Sequence, residues 1–495
     1  MALDIDVIIV GAGNAGMSAA HAARESGARV LVADAAPIEW AGGNSYFTAG
    51  AFRTAHPGLP GVESILDGID RARLDRTRLE PYTAEQYRAD LSRVTDGRAD
   101  PLLARLLTEE SWPTIEWLRR VGLRFRLMYE RQAYSSGDIE QFWGGLAIGT
   151  VDGGKGLVTQ HTGAASGNGV AIVHAHRLVG LERSDGDGVR LAFETPHGVK
   201  RFAAHAAVLA AGGFEADRGR RGAHLGDQWR AAKVRGTPYN TGGPLDLLLK
   251  IGAARHGEWN GCHATQWDRN APEHGDRVLT NRYTKQSYPL GIVVNLRGGR
   301  FIDEGEDFRN FTYAKFGRAV IEQPSSIAFQ IFDAKTVPLL RAEEYAAPGA
   351  SRFEARTIGE LAAACGIDPR GLTTTIECFN SAVIDRPFNP ALKDGKAAAG
   401  IEPPKSNWAQ PIDTPPFVAY GVTAGITFTF GGVRIDQDAA VLDEDGRRIP
   451  GIFAAGELVG GLFYGNYPGG SGLTAGSVFG RRAGRAAADR EARLK

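Results

Sequence analysis

The run Asp6-Val-Ile-Ile-Val10, followed at once by Gly11-Ala-Gly-Asn-Ala-Gly16, leaves this chain few ways to fold. A β-branched tetrapeptide of this kind is the pattern of a strand buried on both faces. The alanine-rich stretch from Met17 to about Glu25 predicts a helix, and Gly27 predicts its stop. Ala28-Arg-Val-Leu-Val-Ala33 predicts a second strand, which ends at Asp34. Strand, glycine turn, helix, strand and acid come in the order a dinucleotide requires. Gly11 permits the tight turn, Gly13 lets backbone approach a pyrophosphate, and Gly16 lets helix and strand pack closely. The helix start, with Asn14 and Ala15, offers free N–H groups and partial positive charge to the phosphates. Asp34 lies 18 residues after Gly16, placed to accept hydrogen bonds from a ribose diol. Its carboxylate would repel a ribose 2′-phosphate.

With 495 residues against roughly 100–200 per domain, two or three domains are expected. Glycine supplies 65 residues, so backbone must turn tightly or approach something closely at many places. Lys plus Arg and Asp plus Glu are 57 each, so no overall field recruits nucleic acid or an anionic membrane. Three cysteines, Cys262, Cys365 and Cys378, exclude a disulfide scaffold and a thiolate metal cluster built from this chain alone, and fit a reducing cytoplasm. No apolar run reaches 18 residues, so no membrane span is expected. Met1 to Asp6 lacks the basic stretch and cleavage site of a secretory signal.

The first turn fits FAD and NAD equally, since both carry adenosine diphosphate. Later segments separate them. Ala207-Val-Leu-Ala-Ala-Gly-Gly213 and Gly451-Ile-Phe-Ala-Ala-Gly-Glu457 are two further apolar strands with glycine exits. Such strands returning beside the first turn suit a long cofactor enclosed by the chain. The glycine-rich loop Val459–Thr474 then feeds a helix-like stretch from Ala475 to Ala488, whose N-terminus suits negative charge on a reduced flavin. FAD is therefore the expected cofactor.

Further motifs run the length of the chain: Gly42-Gly-Asn-Ser-Tyr-Phe-Thr-Ala-Gly50, Ala210-Ala-Gly-Gly-Phe214, Arg300-Phe-Ile-Asp-Glu-Gly-Glu-Asp-Phe-Arg-Asn310, Gly425-Ile-Thr-Phe-Thr-Phe-Gly-Gly432 and Phe463–Thr474. With these the chain resembles the fumarate reductase/succinate dehydrogenase flavoprotein family, and within it the FAD-dependent tricarballylate dehydrogenase branch. The resemblance implies an α/β fold: a discontinuous Rossmann-like FAD-binding domain (1–255 and 424–495) with an inserted α+β capping domain (256–423). Substrate would bind between cap and flavin. Cofactor contacts are implied for Gly43, Asn44, Ser45, Ala49, Gly50, Ala211, Gly212, Gly456, Glu457, Ser471 and Leu473, with Ser45 near the ring and Glu457 on the ribityl or pyrophosphate portion. Relatives with covalent flavin carry a histidine near the GGNS-like segment; Asn44, Ser45 and Tyr46 stand here, so FAD is expected to be non-covalent. Gly242-Gly243 replaces the Gly-Asp of many relatives, removing one side-chain contact.

The family moves a hydride to the flavin N5 and a proton elsewhere, across a C–C bond beside a carbonyl or carboxylate. Arg309 matches its catalytic arginine, although on spacing alone an Arg following Glu304, Glu306 and Asp307 reads as a surface ion pair. A guanidinium is a poor base unless desolvated beside other cations, so a charge clamp is the alternative role. His263 matches a substrate-binding histidine; by itself it reads as a packed histidine. Phe428 stands where fumarate reductases place a second histidine, and Tyr467 where they place an arginine. Both losses argue against a compact C4 dicarboxylate. The Tyr-Pro-Gly pattern at Tyr467 is similar to that of ketosteroid dehydrogenases, where the tyrosine helps polarise a ketone. Arg282, Tyr283 and Tyr288 read as structural. The expected activity is α,β-desaturation of a carboxylic acid, of the tricarballylate to cis-aconitate type. Alternatives are desaturation or reduction of a cyclic ketone or oxo-acid, fumarate reductase-like enoate reduction, and a flavoprotein serving only as an electron-relay module. The electrons must leave to a separate acceptor: a membrane iron–sulfur protein, a quinone or oxygen.

Overall fold

The computed structural model describes residues 5–183 and 188–489. Its first sheet runs in the order Ala440–Leu442, Arg448–Ala454, Ala206–Leu209, Val7–Val10, Val30–Ala33, Ala171–Val173. From Arg448–Ala454 to Ala171–Val173 the neighbours pair parallel. Val7–Val10, Val30–Ala33 and Ala206–Leu209 are buried throughout, which explains their unbroken apolar runs. The Val7–Val10 strand lies inside this sheet, between Ala206–Leu209 and Val30–Ala33, so the crevice past its carboxyl end is a topological switch point.

Two helices from opposite ends of the chain cover this crevice. Asn14–Glu25 and Ser471–Ala488 pack backbone to backbone. A Cβ at Gly480 would stand 2.3 Å from the Ala15 carbonyl oxygen, and one at Gly484 2.1 Å from that of Ala19. The expected helix from Ala475 to Ala488 begins one turn earlier, at Ser471.

A second sheet supplies the opposite wall. The long strand Phe417–Thr429 pairs with Lys233–Val234, Cys262–Asp268, Ala328–Phe332 and Arg352–Ala355. It runs through the boundary expected between 423 and 424, and Lys233–Val234, expected in the first FAD-binding segment, joins it. Opposite Cys262–Asp268 this strand carries one extra residue: His263 faces Phe428 and Ala264 faces Ile426, leaving Thr427 unpaired. Bulges of this kind re-aim a side chain. The helix Tyr313–Ile321 packs on the Ala264 side of the strand, where a Cβ at Gly317 would meet Ala264 at 2.4 Å. His263, Thr265 and Trp267 therefore share the other face.

Candidate active site

One continuous cavity runs from the carboxyl ends of the first sheet to the Thr427–Thr429 end of the second. At its first end it is made largely of backbone. Gly11, Gly13, Asn14 and Ala15 line it; Gly16 does not. Gly11 sits at φ +104°, and a Cβ on Gly16 would lie 2.0 Å from the Gly11 carbonyl oxygen, so Gly16 acts by letting the helix close on the turn. No side chain caps Asn14–Glu25 or Ser471–Ala488, and residues at both helix starts line the cavity. Two positive helix ends thus face the same space.

Asn14 ties them together. Its backbone N–H donates to Ser45 Oγ (2.9 Å), and Nδ2 donates to the Leu473 carbonyl (2.8 Å) and Ser477 Oγ (3.0 Å). Its Oδ1 lies 3.1 Å from His161 Nε2, and His161 Nδ1 lies 3.2 Å from His21 Nε2. Burial pushes both histidines down, His21 to about 4, so both are neutral. With Asn14 Oδ1 accepting, His161 carries its proton on Nε2 and His21 donates to Nδ1.

Asp34 Oδ1 accepts from the Ala36 N–H (3.4 Å), while Oδ2 is buried with no partner among the described residues. Burial raises its pKa. An acceptor stranded at this strand end fits the ribose diol of a dinucleotide, and with the uncapped helix starts it shows that the residues present fit FAD.

Further along, Gly43, Asn44, Ser45, Ala49, Ala211, Gly212, Gly456, Glu457 and Leu473 line the cavity. Gly50 and Ser471 do not. A Cβ at Gly50 would meet Thr150 Oγ1 at 2.2 Å, and Ser471 Oγ is occupied by the Tyr87 hydroxyl (2.8 Å). Asn44 Nδ2 donates to Glu215 Oε1 (2.7 Å) and to the carbonyl of bulged Thr427 (2.6 Å); its Oδ1 accepts from the Thr237 N–H (2.9 Å). Glu215 Oε1 also accepts from Asn240 Nδ2 (2.7 Å), and Glu457 Oε1 accepts from the Thr429 N–H (2.8 Å). Burial raises the pKa values of both Glu215 and Glu457, that of Glu457 further through the nearby Glu215, and Glu215 Oε2 has no hydrogen-bond partner among the described residues. Two interacting buried carboxyls resist ionising together. Glu215 was not singled out in the sequence, where it follows Gly212-Gly-Phe without a motif of its own.

The far end is built from side chains. Arg309, Tyr467 and His263 all line it. Arg309 Nη1 donates to Gln286 Oε1 (2.9 Å), and Nη2 donates to the Arg131 carbonyl and Gln132 Oε1 (3.3 Å). All three acceptors are neutral, so Arg309 is not the surface ion pair its acidic neighbours in sequence suggest. Burial and the nearby Arg131 lower its pKa. Arg341 donates to the same Arg131 carbonyl, and burial with Arg309 pushes it down to about 9. Arg131 pairs with Glu343 and, at 3.0 Å, with Glu344, whose carboxyl these cations hold below its ordinary range despite burial.

His263 stacks on Phe428 (ring centroids 5.2 Å apart, 18° between planes) and meets Tyr313 and Tyr467 edge-on, each at 5.0 Å. Its Nδ1 is buried and unpartnered among the described residues. Burial, reinforced by Arg235, holds its pKa well below the ordinary imidazole value, so it is neutral. Tyr467 Oη accepts from the Tyr313 hydroxyl (2.9 Å) and the Gly470 N–H (3.0 Å), which leaves its own proton free to donate. Arg282 is exposed, Tyr283 packs on Trp267, and the Tyr288 hydroxyl bonds Thr312 Oγ1 (2.6 Å); none lines the cavity.

Arg131 and Arg235 line the cavity beside Arg309. Neither arginine was singled out in the sequence, nor were Asn310 and Tyr313. Arg235 follows the short strand Lys233–Val234, and no motif marks it. Its one signal is a cation two residues after Lys233 and seven before the paired glycines, in an otherwise polar turn.

The profile of the FAD binding domain family matches residues 6–473. The chain belongs to this family, among the flavoproteins of the fumarate reductase/succinate dehydrogenase superfamily. FAD is its cofactor, and it is an FAD-dependent oxidoreductase. It is 28% identical over 98% of its length to the NADH:fumarate oxidoreductase of Klebsiella pneumoniae (strain 342), of which it spans 48%, about half. It is 26% identical over 98% of its length to the fumarate reductase (cytochrome) of Shewanella frigidimarina, spanning 77% of that protein. A 4-oxocyclohexanecarboxylate 2-dehydrogenase of Sinomonas cyclohexanicum is 26% identical over 67% of this chain and 59% of its own length. The fold is shared with a 3-ketosteroid Δ1-dehydrogenase from Sterolibacterium denitrificans: TM-score 0.74, 21% identity, 98% of this chain and 99% of that one. Among the described residues, no helix is long and apolar enough to cross a membrane.

Proposed function

We propose that this chain is an FAD-dependent dehydrogenase that desaturates the α,β C–C bond of a carboxylic acid, of the tricarballylate to cis-aconitate type. The observation that carries this reading is Arg309: a half-buried guanidinium whose hydrogen-bond partners are all neutral, in the same cavity end as neutral His263 and the free proton of Tyr467. A desolvated cation without a carboxylate is costly until an anion meets it. The substrate carboxylate fills that need. Bound FAD, held without a covalent link, supplies the two-electron acceptor.

The chain's own residues supply the rest. Tyr467 donates to the oxygen on which charge develops once the α-proton leaves, and the Gly470 N–H and Tyr313 hydroxyl hold the phenol in place for this. Arg309 relays the α-proton, giving one guanidinium proton to solvent and taking up the α-proton in its place; burial and Arg131 lower its pKa, so that loss costs less there than in water. His263 packs between Phe428 and the two tyrosines and presents a neutral ring to the substrate. Residues 256–423 act as the cap that shuts out water. Electrons then pass to a separate acceptor (a membrane iron–sulfur protein, a quinone or oxygen), in a cytoplasm whose reducing conditions suit three unpaired cysteines.

A second reading is desaturation of a cyclic oxo-acid. The Tyr467 proton, beside the apolar wall of Phe428 and Phe463, favours it, since a phenol polarises a ketone as well as a carboxylate. Similarity to the 4-oxocyclohexanecarboxylate dehydrogenase supports it. Anaerobic bleaching of the flavin separates the two. Tricarballylate is expected to bleach the holoenzyme and 4-oxocyclohexanecarboxylate is not; the reverse result replaces the first reading with the second. Arg309→Gln is expected to lower the bleaching rate at least about a thousandfold with FAD still bound.

A further inference from the structure

Arg235 is the cation that the mechanism above does not use. It is 8% exposed and lies just past Lys233–Val234, its N–H bonded to the Ile426 carbonyl (2.8 Å). Its guanidinium is held by neutral oxygens alone. Nε donates to Asn281 Oδ1 (2.9 Å), Nη2 donates to the same oxygen (2.5 Å), and Nη1 donates to Oγ1 of the bulged Thr427 (3.0 Å). Among the described residues no carboxylate pairs with it. Burial lowers its pKa.

The surroundings carry further donors without acceptors. Asn281 commits its oxygen to Arg235, and its Nδ2 is buried and unpartnered among the described residues. Trp267 Nε1 and Thr265 Oγ1 are also buried and unpartnered. Thr265 and Trp267 share with His263 the strand face away from the helix Tyr313–Ile321. Trp267 lies across Gly425, where a Cβ would stand 2.6 Å from Trp267 Cβ, and its ring centroid is 5.9 Å from the Arg235 guanidinium carbon. Arg235, Asn281 and His263 line the cavity. A fixed cation with no carboxylate partner, beside the spare Asn281 N–H donor and with both lining the cavity, has the chemistry of an anion site.

We propose that Arg235 and Asn281 form a second carboxylate subsite, separate from Arg309, so that the enzyme selects substrates with at least two carboxylates. This rests on the desaturase reading above and narrows its substrate class. Arg309 holds or deprotonates the reacting end; Arg235 and Asn281 hold a carboxylate at the other end. They do so from different elements than positions 428 and 467, which here are aromatic.

The test is equilibrium binding to the oxidised holoenzyme, read as perturbation of the visible flavin spectrum by tricarballylate and by butanoate. The wild type is expected to bind tricarballylate at least about tenfold more tightly than butanoate. Arg235→Gln is expected to weaken tricarballylate about a hundredfold and to leave butanoate within about twofold. Asn281→Asp keeps the oxygen that Arg235 uses but replaces the spare donor with negative charge; it is expected to lose tricarballylate to a similar degree. Its unchanged flavin spectrum and melting temperature report an intact fold should Arg235→Gln fail to fold. Undiminished tricarballylate binding in either folded variant overturns the subsite and leaves the desaturase reading standing. A wild type that binds neither acid overturns both.

Discussion

The two ends of the cavity are built by opposite means. At the dinucleotide end the working groups are backbone amides and close glycine contacts, contributed by a few short, contiguous segments. At the reacting end they are long side chains: Arg131, Arg235, His263, Asn281, Arg309, Tyr313 and Tyr467 come from segments scattered over more than three hundred residues. A backbone site needs one local geometry and so leaves one local pattern. A side-chain site needs only that several chain segments arrive together, and arrival is a tertiary property.

The largest expected effect falls on the backbone end. Gly16→Val puts a Cβ 2.0 Å from the Gly11 carbonyl oxygen, a clash with main chain that no rotamer relieves. The purified variant is expected to carry almost no FAD, measured as the flavin-to-protein absorbance ratio. Full occupancy would break the contrast, because the turn would then tolerate a side chain. Next comes Tyr467→Phe, which removes a single proton donor at the other end. Turnover is expected to fall about a hundredfold with FAD content unchanged. Loss of FAD in this variant would mean that the two ends are not separable.

The smallest effect tests the boundary between them, where the buried carboxyls of Glu215 and Glu457 interact. Burial raises both carboxyl pKa values in the folded chain, so the folded state binds protons more tightly than the unfolded one. That stability is complete below the unfolded carboxyl pKa and is lost as pH rises through the folded value. Glu215→Gln keeps an oxygen for Asn44 and Asn240 but does not ionise. From about pH 5 to about pH 9, its melting temperature is expected to decline by a few degrees less than that of the wild type. Parallel declines would place the proton elsewhere.

What the sequence made legible follows this division. The strand, turn, helix, strand and acid of the first thirty-four residues appear in the structure with their starts shifted by one to three residues, because glycine spacing and β-branched runs act locally. Gly50 and Ser471 were expected at the cofactor but sit behind the wall, since a motif reports a segment and not which of its residues faces inward. Arg235 left no pattern: its role depends on a bulge at Thr427 and on Asn281, neither near it in sequence. Glu215 depends likewise on Glu457, far along the chain. Resemblance supplied Arg309, which spacing alone would have assigned to the surface.

The backbone contact between Asn14–Glu25 and Ser471–Ala488 also sets a timetable for biosynthesis. The amino-terminal turn leaves the ribosome hundreds of residues before its partner helix, and until then the Ala15 and Ala19 carbonyls have nothing to pack against. The cleft therefore stays open on one side until the segment Ser471–Ala488 has been made. Full enclosure of the flavin by this protein therefore requires that both helices have been made.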